Sequence, residues 1–273
     1  MTLFPELTEL MSLFRFFPRR QLSQHFITDE KVLEKMVSLA GLSEKEVVLE
    51  VGVGTGFLST EILAHCKKLI GFEFDETLQK VLIERFEKEL SKKKLELFNE
   101  DFFSFAGKLE FDKVIAFPPF HKTQNLMFKL FEFDFSKAVL LLPSDTVEKL
   151  SALPGFKDYN SLSVLTQYLF EIERKGVVKP KSFYPKPEIL FELMVLNKKT
   201  IKQPVSDLKL FSFFVLELFR FKNKNYAKAL THAKPFLEKR LQKNIKLTEQ
   251  EFSNLKVCQL EVNELVKSFN ELV

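Results

Sequence analysis

The chain has no tryptophan, two cysteines, four histidines and only eight glycines in 273 residues. Cys66 and Cys258 lie far apart in sequence and show no metal-ligand spacing, so they read as free thiols in a reducing compartment. His65, His121 and His232 have neither ligand nor triad spacing, and no metal site is expected. No apolar run approaches the length of a membrane span. Near the N-terminus Glu6 and Glu9 interrupt the apolar residues, and the first positive charge, Arg15, follows them, which is not the order of a secretory leader. No internal repeat or low-complexity tract is visible. These absences leave a soluble, cytoplasmic globular protein with no membrane or metal partner, expected to act as a monomer.

What is present suits a folded chain. Apolar residues make up 45% and charged residues 29%, a globular balance. The length supports one large core or a large and a small domain. The 32 phenylalanines are read as compositional bias. Net charge is +4, yet residues 197–246 hold 13 Lys/Arg against 3 Asp/Glu. That asymmetry points to a polyanionic partner; a solvated helical surface is the plainer alternative.

Short apolar runs alternate with helical patterns over the first 145 residues. Strands are expected at 47–51, 68–73, 95–98, 113–117 and 137–142. Helices are expected within 1–20, at 29–39, from 59 to 65, as one long charged helix at 76–92, and at 124–131. Residues 161–173 and 189–197 read as two further strands pairing antiparallel at a sheet edge. Beyond about 201 the period is helical, at 206–221, 226–243 and 248–273. The expected class is α/β, a mainly parallel seven-stranded sheet with a small C-terminal α-helical domain; seven strands in this order resemble the Rossmann-like sheet of S-adenosylmethionine (SAM)-dependent methyltransferases. The domain boundary is placed between 1–199 and 200–273.

Residues 47–59, VVLEVGVGTGFLS, run an apolar strand into Gly52, Gly54 and Gly56, and Glu73 ends the next strand. Glycines permit a tight turn and a close backbone approach to a ligand. Dinucleotide sites favour G-x-G-x-x-G. Here the third glycine comes one residue early and an acid, Glu50, precedes the first, which suits a ligand without phosphates; SAM leads the candidates. Glu73 is placed to accept hydrogen bonds from ribose hydroxyls. Asp101, with Phe102 beside it, follows the third strand and can bond the amino group of the cofactor adenine. Gln24, His25 and Phe26 precede a helix and should reach the same sheet edge. Phe117-Pro118-Pro119-Phe120 follows the fourth strand and resembles the loop of methyltransferases that modify an exocyclic amine. Its prolines stiffen the loop, its aromatic ring can stack on a flipped-out base, and its carbonyls can accept from the amine.

Longer segments carry a more specific resemblance. Gln24-His25-Phe26, Glu50 to Leu58, Phe72-Glu73-Phe74-Asp75, Asp101, Tyr159 with Leu162-Ser163-Val164 and Gln167, Phe183-Tyr184-Pro185-Lys186-Pro187, and Phe219 to Leu230 together resemble the rRNA adenine N6-dimethyltransferases of the KsgA type, over nearly the whole chain. The resemblance implies SAM-dependent dimethylation of two adjacent adenines near the 3′ end of small-subunit rRNA during ribosome biogenesis. It implies cofactor contacts from Gln24, His25, Phe26, Glu50, Gly52, Gly54, Gly56, Glu73, Asp101 and Phe102, and catalysis at Phe117, Pro118, Pro119 and Phe120. RNA contacts are expected from Arg15, Arg19 and Arg20, and from Lys222, Lys224 and Lys228. The departures fall on the target-base side. Phe117 stands where the family has an asparagine acceptor, Ser23 and Asn160 replace glycines (Asn160 tolerating a left-handed backbone), and Pro143-Ser144-Asp145 replaces Q-x-E. The alternative reading is therefore a catalytically weak or inactive SAM-binding assembly factor on the same fold; a methyltransferase acting on another amine comes third.

Overall fold

The computed structural model describes residues 2–242, 244–245 and 251–272. In chain order the strands are β1 (Phe26–Ile27), β2 (Val47–Val51), β3 (Lys68–Phe72), β4 (Leu95–Phe98), β5 (Lys113–Ala116), β6 (Lys137–Pro143), β7 (Phe170–Val178), β8 (Phe183–Tyr184) and β9 (Phe191–Lys198). The helices are α1 (Phe4–Leu13), α2 (Glu30–Ala40), α3 (Phe57–Leu63), α4 (Glu76–Arg85), α5 (Glu87–Ser91), α6 (Thr123–Leu130), α7 (Ser144–Ser151), α8 (Ser161–Leu169), α9 (Leu208–Phe219), α10 (Tyr226–Leu241) and α11 (Val262–Leu272). Seven strands form one sheet in the order β4-β3-β2-β5-β6-β9-β7. The strands from β4 to β6 run parallel and β9 is antiparallel to β6. The central strands are buried nearly end to end, as a sheet covered on both faces requires.

Local chemistry sets the helices that flank the site. Asp29 caps α2 by accepting from Lys31 N, and Gly41 ends it in the left-handed region at φ 58°. Val32, Leu33, Met36, Val37 and Ala40 place one face of α2 in the core. Asp75 caps α4 through Thr77 N and Leu78 N. The expected single helix at 76–92 is interrupted at Phe86, whose φ of −116° separates α4 from α5. Its buried ring lies where a side chain on Gly56 would stand.

A second departure lies at 161–173. Residues 161–169 form α8, not a strand, and the edge strand β7 begins at Phe170. Asn160 is extended (φ −153°), not left-handed, and accepts from Leu162 N and Ser163 N, while the Ser163 hydroxyl accepts from Asn160 N. This capping box starts the helix. Burial around most of α8 erased the polar stripe that would have marked its period. The expected helix from 248 falls partly outside the described residues, and α11 accounts for its later part.

The chain clusters into two compact units, one of residues 1–147 and 172–198, the other of 148–171 and 199–273. The second takes in α8 as well as α9, α10 and α11. Its core includes Tyr159, Phe211, Phe214, Tyr226 and Phe269, and the Tyr159 hydroxyl donates to Leu260 O at 2.9 Å. Among the described residues, no helix is long and apolar enough to cross a membrane.

The packing assigned to Gly56 is testable. Its φ is 83° and a Cβ would stand 2.5 Å from the Phe86 ring, whereas a Cβ on Gly41, also left-handed, meets nothing within 4 Å. Gly56→Ala should lower unfolding stability by about 2–4 kcal/mol, strain plus overpacking. Gly41→Ala should cost about 1 kcal/mol, from backbone strain alone. Equal urea midpoints for the two variants would refute the contact.

Candidate active site

The first unit contains a cavity of about 310 Å³ at the C-terminal edge of the parallel strands, lined by segments that follow β2, β3, β4 and β5 and by the loop leading into β1. The turn after β2 is held by two amides, Gly52 N and Val53 N, both donating to Phe72 O at 3.0 and 3.2 Å. Gly52 and Gly54 line the cavity with φ of 81° and 63°. Gly56 is not among the residues that line it, and its missing side chain makes room for Phe86.

Two buried carboxyl groups line this space. Glu73, at the end of β3, accepts from Gly54 N at 2.9 Å and from Asp75 N at 3.0 Å. Burial pushes its carboxyl up to about 7 against those amides, and Asp75 adds to the rise. Glu50 is 1% exposed; its Oε2 accepts from the Ser59 hydroxyl at 2.6 Å, while its Oε1 has no partner. Burial drives its carboxyl up to about 8, the Ser59 bond opposing and Glu73 reinforcing. A buried carboxylate oxygen without a partner is costly. Its place in the cavity lining fits a ligand that brings a cation or a hydrogen-bond donor.

Asp101 accepts from Phe103 N at 3.0 Å, and its other oxygen lies 3.9 Å from Lys122 Nζ. Phe102 is buried against Phe72, centroids 5.1 Å apart, and lines the cavity. Gln24 borders the cavity but spends its amide on the fold, donating to Asp75 at 2.8 Å and accepting from Arg19 N at 2.8 Å. His25 Nδ1 lies 2.6 Å from Pro185 O. A carbonyl only accepts, so the proton sits on Nδ1. That bond and the β1–β8 pairing, Phe26 opposite Tyr184, bring together the Gln24–Phe26 and Phe183–Pro187 segments. The Phe26 ring lies 3.5 Å from where a Cβ on Gly54 would stand.

The proline loop closes the other wall. The Phe117 ring packs on Phe183 and Phe191, at 5.4 and 5.2 Å, while its carbonyl oxygen lies 3.3 Å from where a Cβ on Gly52 would be. Pro118 is buried, Pro119 half-buried, and Phe120 is 38% exposed with its ring 6.3 Å from His25. His121 Nδ1 lies 2.9 Å from the Ser23 hydroxyl and joins two rims of the cavity. Residues lining the cavity that the sequence reading did not assign to it include Ser23, Phe74, Phe103, His121 and Lys122. Each sits within one or two positions of a motif residue, the only signal available.

Of the expected RNA-contacting residues, Arg15 and Arg19 are exposed, and Arg19 lies 3.7 Å from Asp75. Arg20 begins a short 3-10 turn, and its side chain lies outside the described set. In the second unit Lys228 is exposed, Lys222 donates to Lys157 O at 3.2 Å, and Lys224 Nζ lies 2.9 Å from His232 Nε2. The His232 ring stacks on Phe221 at 4.8 Å.

Comparison with known proteins gives this geometry its context. The profile of the family described as ribosomal RNA adenine dimethylase matches residues 15–272. A probable ribosomal RNA small subunit methyltransferase A from Pyrococcus abyssi is 30% identical over 267 residues, covering 96% of this chain and 94% of that protein. A ribosomal RNA small subunit methyltransferase A from Mesomycoplasma hyopneumoniae is 33% identical over 212 residues, covering 76% of this chain and 79% of that protein. The crystal structure of a dimethyladenosine transferase from Plasmodium falciparum shares the fold, with a TM-score of 0.76 at 21% identity, over 89% of this chain and 95% of that one. On the profile match and these relatives, the chain belongs to the ribosomal RNA adenine dimethylase family.

Proposed function

We propose that the protein is a SAM-dependent rRNA adenine N6-dimethyltransferase. On this reading it acts as a cytoplasmic monomer on adjacent adenines near the 3′ end of small-subunit rRNA. One observation carries the reading: the unpartnered oxygen of buried Glu50 shares a single cavity with the Phe117–Phe120 loop. SAM supplies a methyl group made electrophilic by its sulfonium. Glu50 is suited to the cationic amino end of such a ligand, Glu73 to ribose hydroxyls, and Asp101 to the adenine amine, with Phe74, Phe102 and Phe103 as apolar walls. Gly52 and Gly54 leave the turn open to the ligand. His25 and Phe26 complete the wall, and Gln24 positions it through Asp75. In the second unit, residues 200–273 would form the basic rRNA-binding part, with Lys222, Lys224 and Lys228 on phosphates.

On the target side, Pro118 and Pro119 fix the loop and Phe120 offers a stacking face for an extruded adenine. The loop carbonyls accept from the amine and hold its lone pair toward the methyl donor, which is catalysis by position and preorganised dipoles. A second reading has one specific support. Phe117 has no side-chain acceptor, and its ring is engaged with Phe183 and Phe191; loss of one such acceptor costs about 3–4 kcal/mol of transition-state stabilisation. That reading is a SAM-binding assembly factor with little or no turnover. Incubation of unmethylated small subunits with methyl-labelled SAM separates the two. Label at both adenines supports the enzyme, and tight subunit binding without label supports the assembly factor.

Two outcomes are expected at the site. SAM affinity should rise several-fold from pH 6 to pH 9. The ligand favours the ionised carboxylates, so below about 8 for Glu50 and about 7 for Glu73 its binding must release protons. Glu50→Gln should bind about tenfold weaker and lose the upper part of that rise; calorimetry that finds the same pH profile in both proteins would refute the assignment. Phe117→Asn should raise the methylation rate by about 10²-fold while costing about 2–3 kcal/mol of stability from the emptied aromatic cluster. Single-turnover assays and thermal melts read the two effects separately.

A further inference from the structure

The loop that enters β1 forms one rim of the cavity, since Leu22, Ser23 and Gln24 line it. It is anchored at both ends. Phe16 is buried with its ring 6.1 Å from Phe26. Arg19 N donates to the Gln24 side chain at 2.8 Å, and Arg19 O accepts from Leu22 N and Gln24 N. Between these anchors Phe17 is 78% exposed, the highest value among the exposed large apolar side chains described. Pro18 follows and fixes the backbone after it. Arg15 and Arg19, both exposed, lie two residues to either side, within about 7 Å of chain.

A lone surface phenylalanine needs no explanation. This one stands on a tied loop, between two cations, five residues before the segment that lines a site already argued to take a base. Cations on both sides disfavour an apolar protein partner. They suit a strand that alternates π faces with phosphates. We infer that Phe17 is a stacking platform for the nucleotide that flanks the target adenine, with Arg15 and Arg19 on the adjoining phosphates. The inference rests on the RNA-methylating reading and adds to it a defined contact for the substrate strand outside the cavity.

The chain has no tryptophan, so Phe17→Trp introduces the only indole and keeps a stacking face. The probe is a single-stranded RNA oligonucleotide with a central adenine pair. F17W should bind it as the wild type does, with its emission quenched. F17A should bind about tenfold more weakly with an unchanged slope of log affinity against log salt. Arg19→Ala should reduce that slope by about one. SAM affinity, measured in parallel, should be unchanged in F17W and F17A. Wild-type RNA affinity in F17A, or unchanged indole emission at saturating RNA, overturns the platform while leaving the functional reading intact. A wild-type protein with no affinity for the RNA overturns the functional reading and the platform together.

Discussion

The site depends on a turn of three residues that have no side chain. Gly52, Gly54 and Gly56 all carry positive φ, and each gives room to a different neighbour: the Phe117 carbonyl, the Phe26 ring and the Phe86 ring. A Cβ would collide with Phe86 at Gly56, crowd the Phe117 carbonyl at Gly52 and only touch Phe26 at Gly54, so the break between α4 and α5 and, less strictly, the proline loop depend on its absence. The turn amides are spent in the same place, on Phe72 O and on Glu73. Backbone geometry that looks like a local device for one ligand is the point at which the surrounding segments converge.

Around this turn the fold accepts an electrostatic cost. Two acids are buried close enough for each Glu50 charge to be opposed by Glu73, and Glu50 retains an oxygen that no protein group satisfies. Two like charges buried together are unfavourable in the ligand-free chain, and each disfavours ionisation of the other. Under the proposed function it is preorganisation: acceptors for a cationic, hydroxylated ligand are held in advance, and such a ligand would complete the bonding. Glu73 differs from Glu50 because two backbone amides already compensate it, which keeps its carboxyl lower despite similar burial.

The opposite wall resolves a different conflict. Just past the end of β5, the Phe117 ring joins Phe183 and Phe191. That ring supplies apolar packing but no side-chain acceptor, leaving polarity at this position to the backbone carbonyl. Phe120, held beside His25, retains the exposed aromatic face.

The strand positions were legible because β2, β3, β5 and β6 are buried on both faces, and buried parallel strands leave compact apolar runs between charged helices. Glu50, Glu73 and the Pro118-Pro119 loop were legible for a related reason: an acid, a glycine run or a proline pair stands out against an apolar strand. The helix at 161–169 was hidden, because burial on most sides removes the period that distinguishes helix from strand. So was the role of Asn160, whose side chain acts through amides two and three residues on. Gly56 and Gln24 sit in the motif yet serve the packing of Phe86 and Asp75, partners 30 and 51 residues distant. The sequence by itself determined which residues could bind, since chemistry belongs to the side chain. Only the tertiary structure decided which of them face the cavity and which are consumed in building it, since that depends on neighbours brought close by folding.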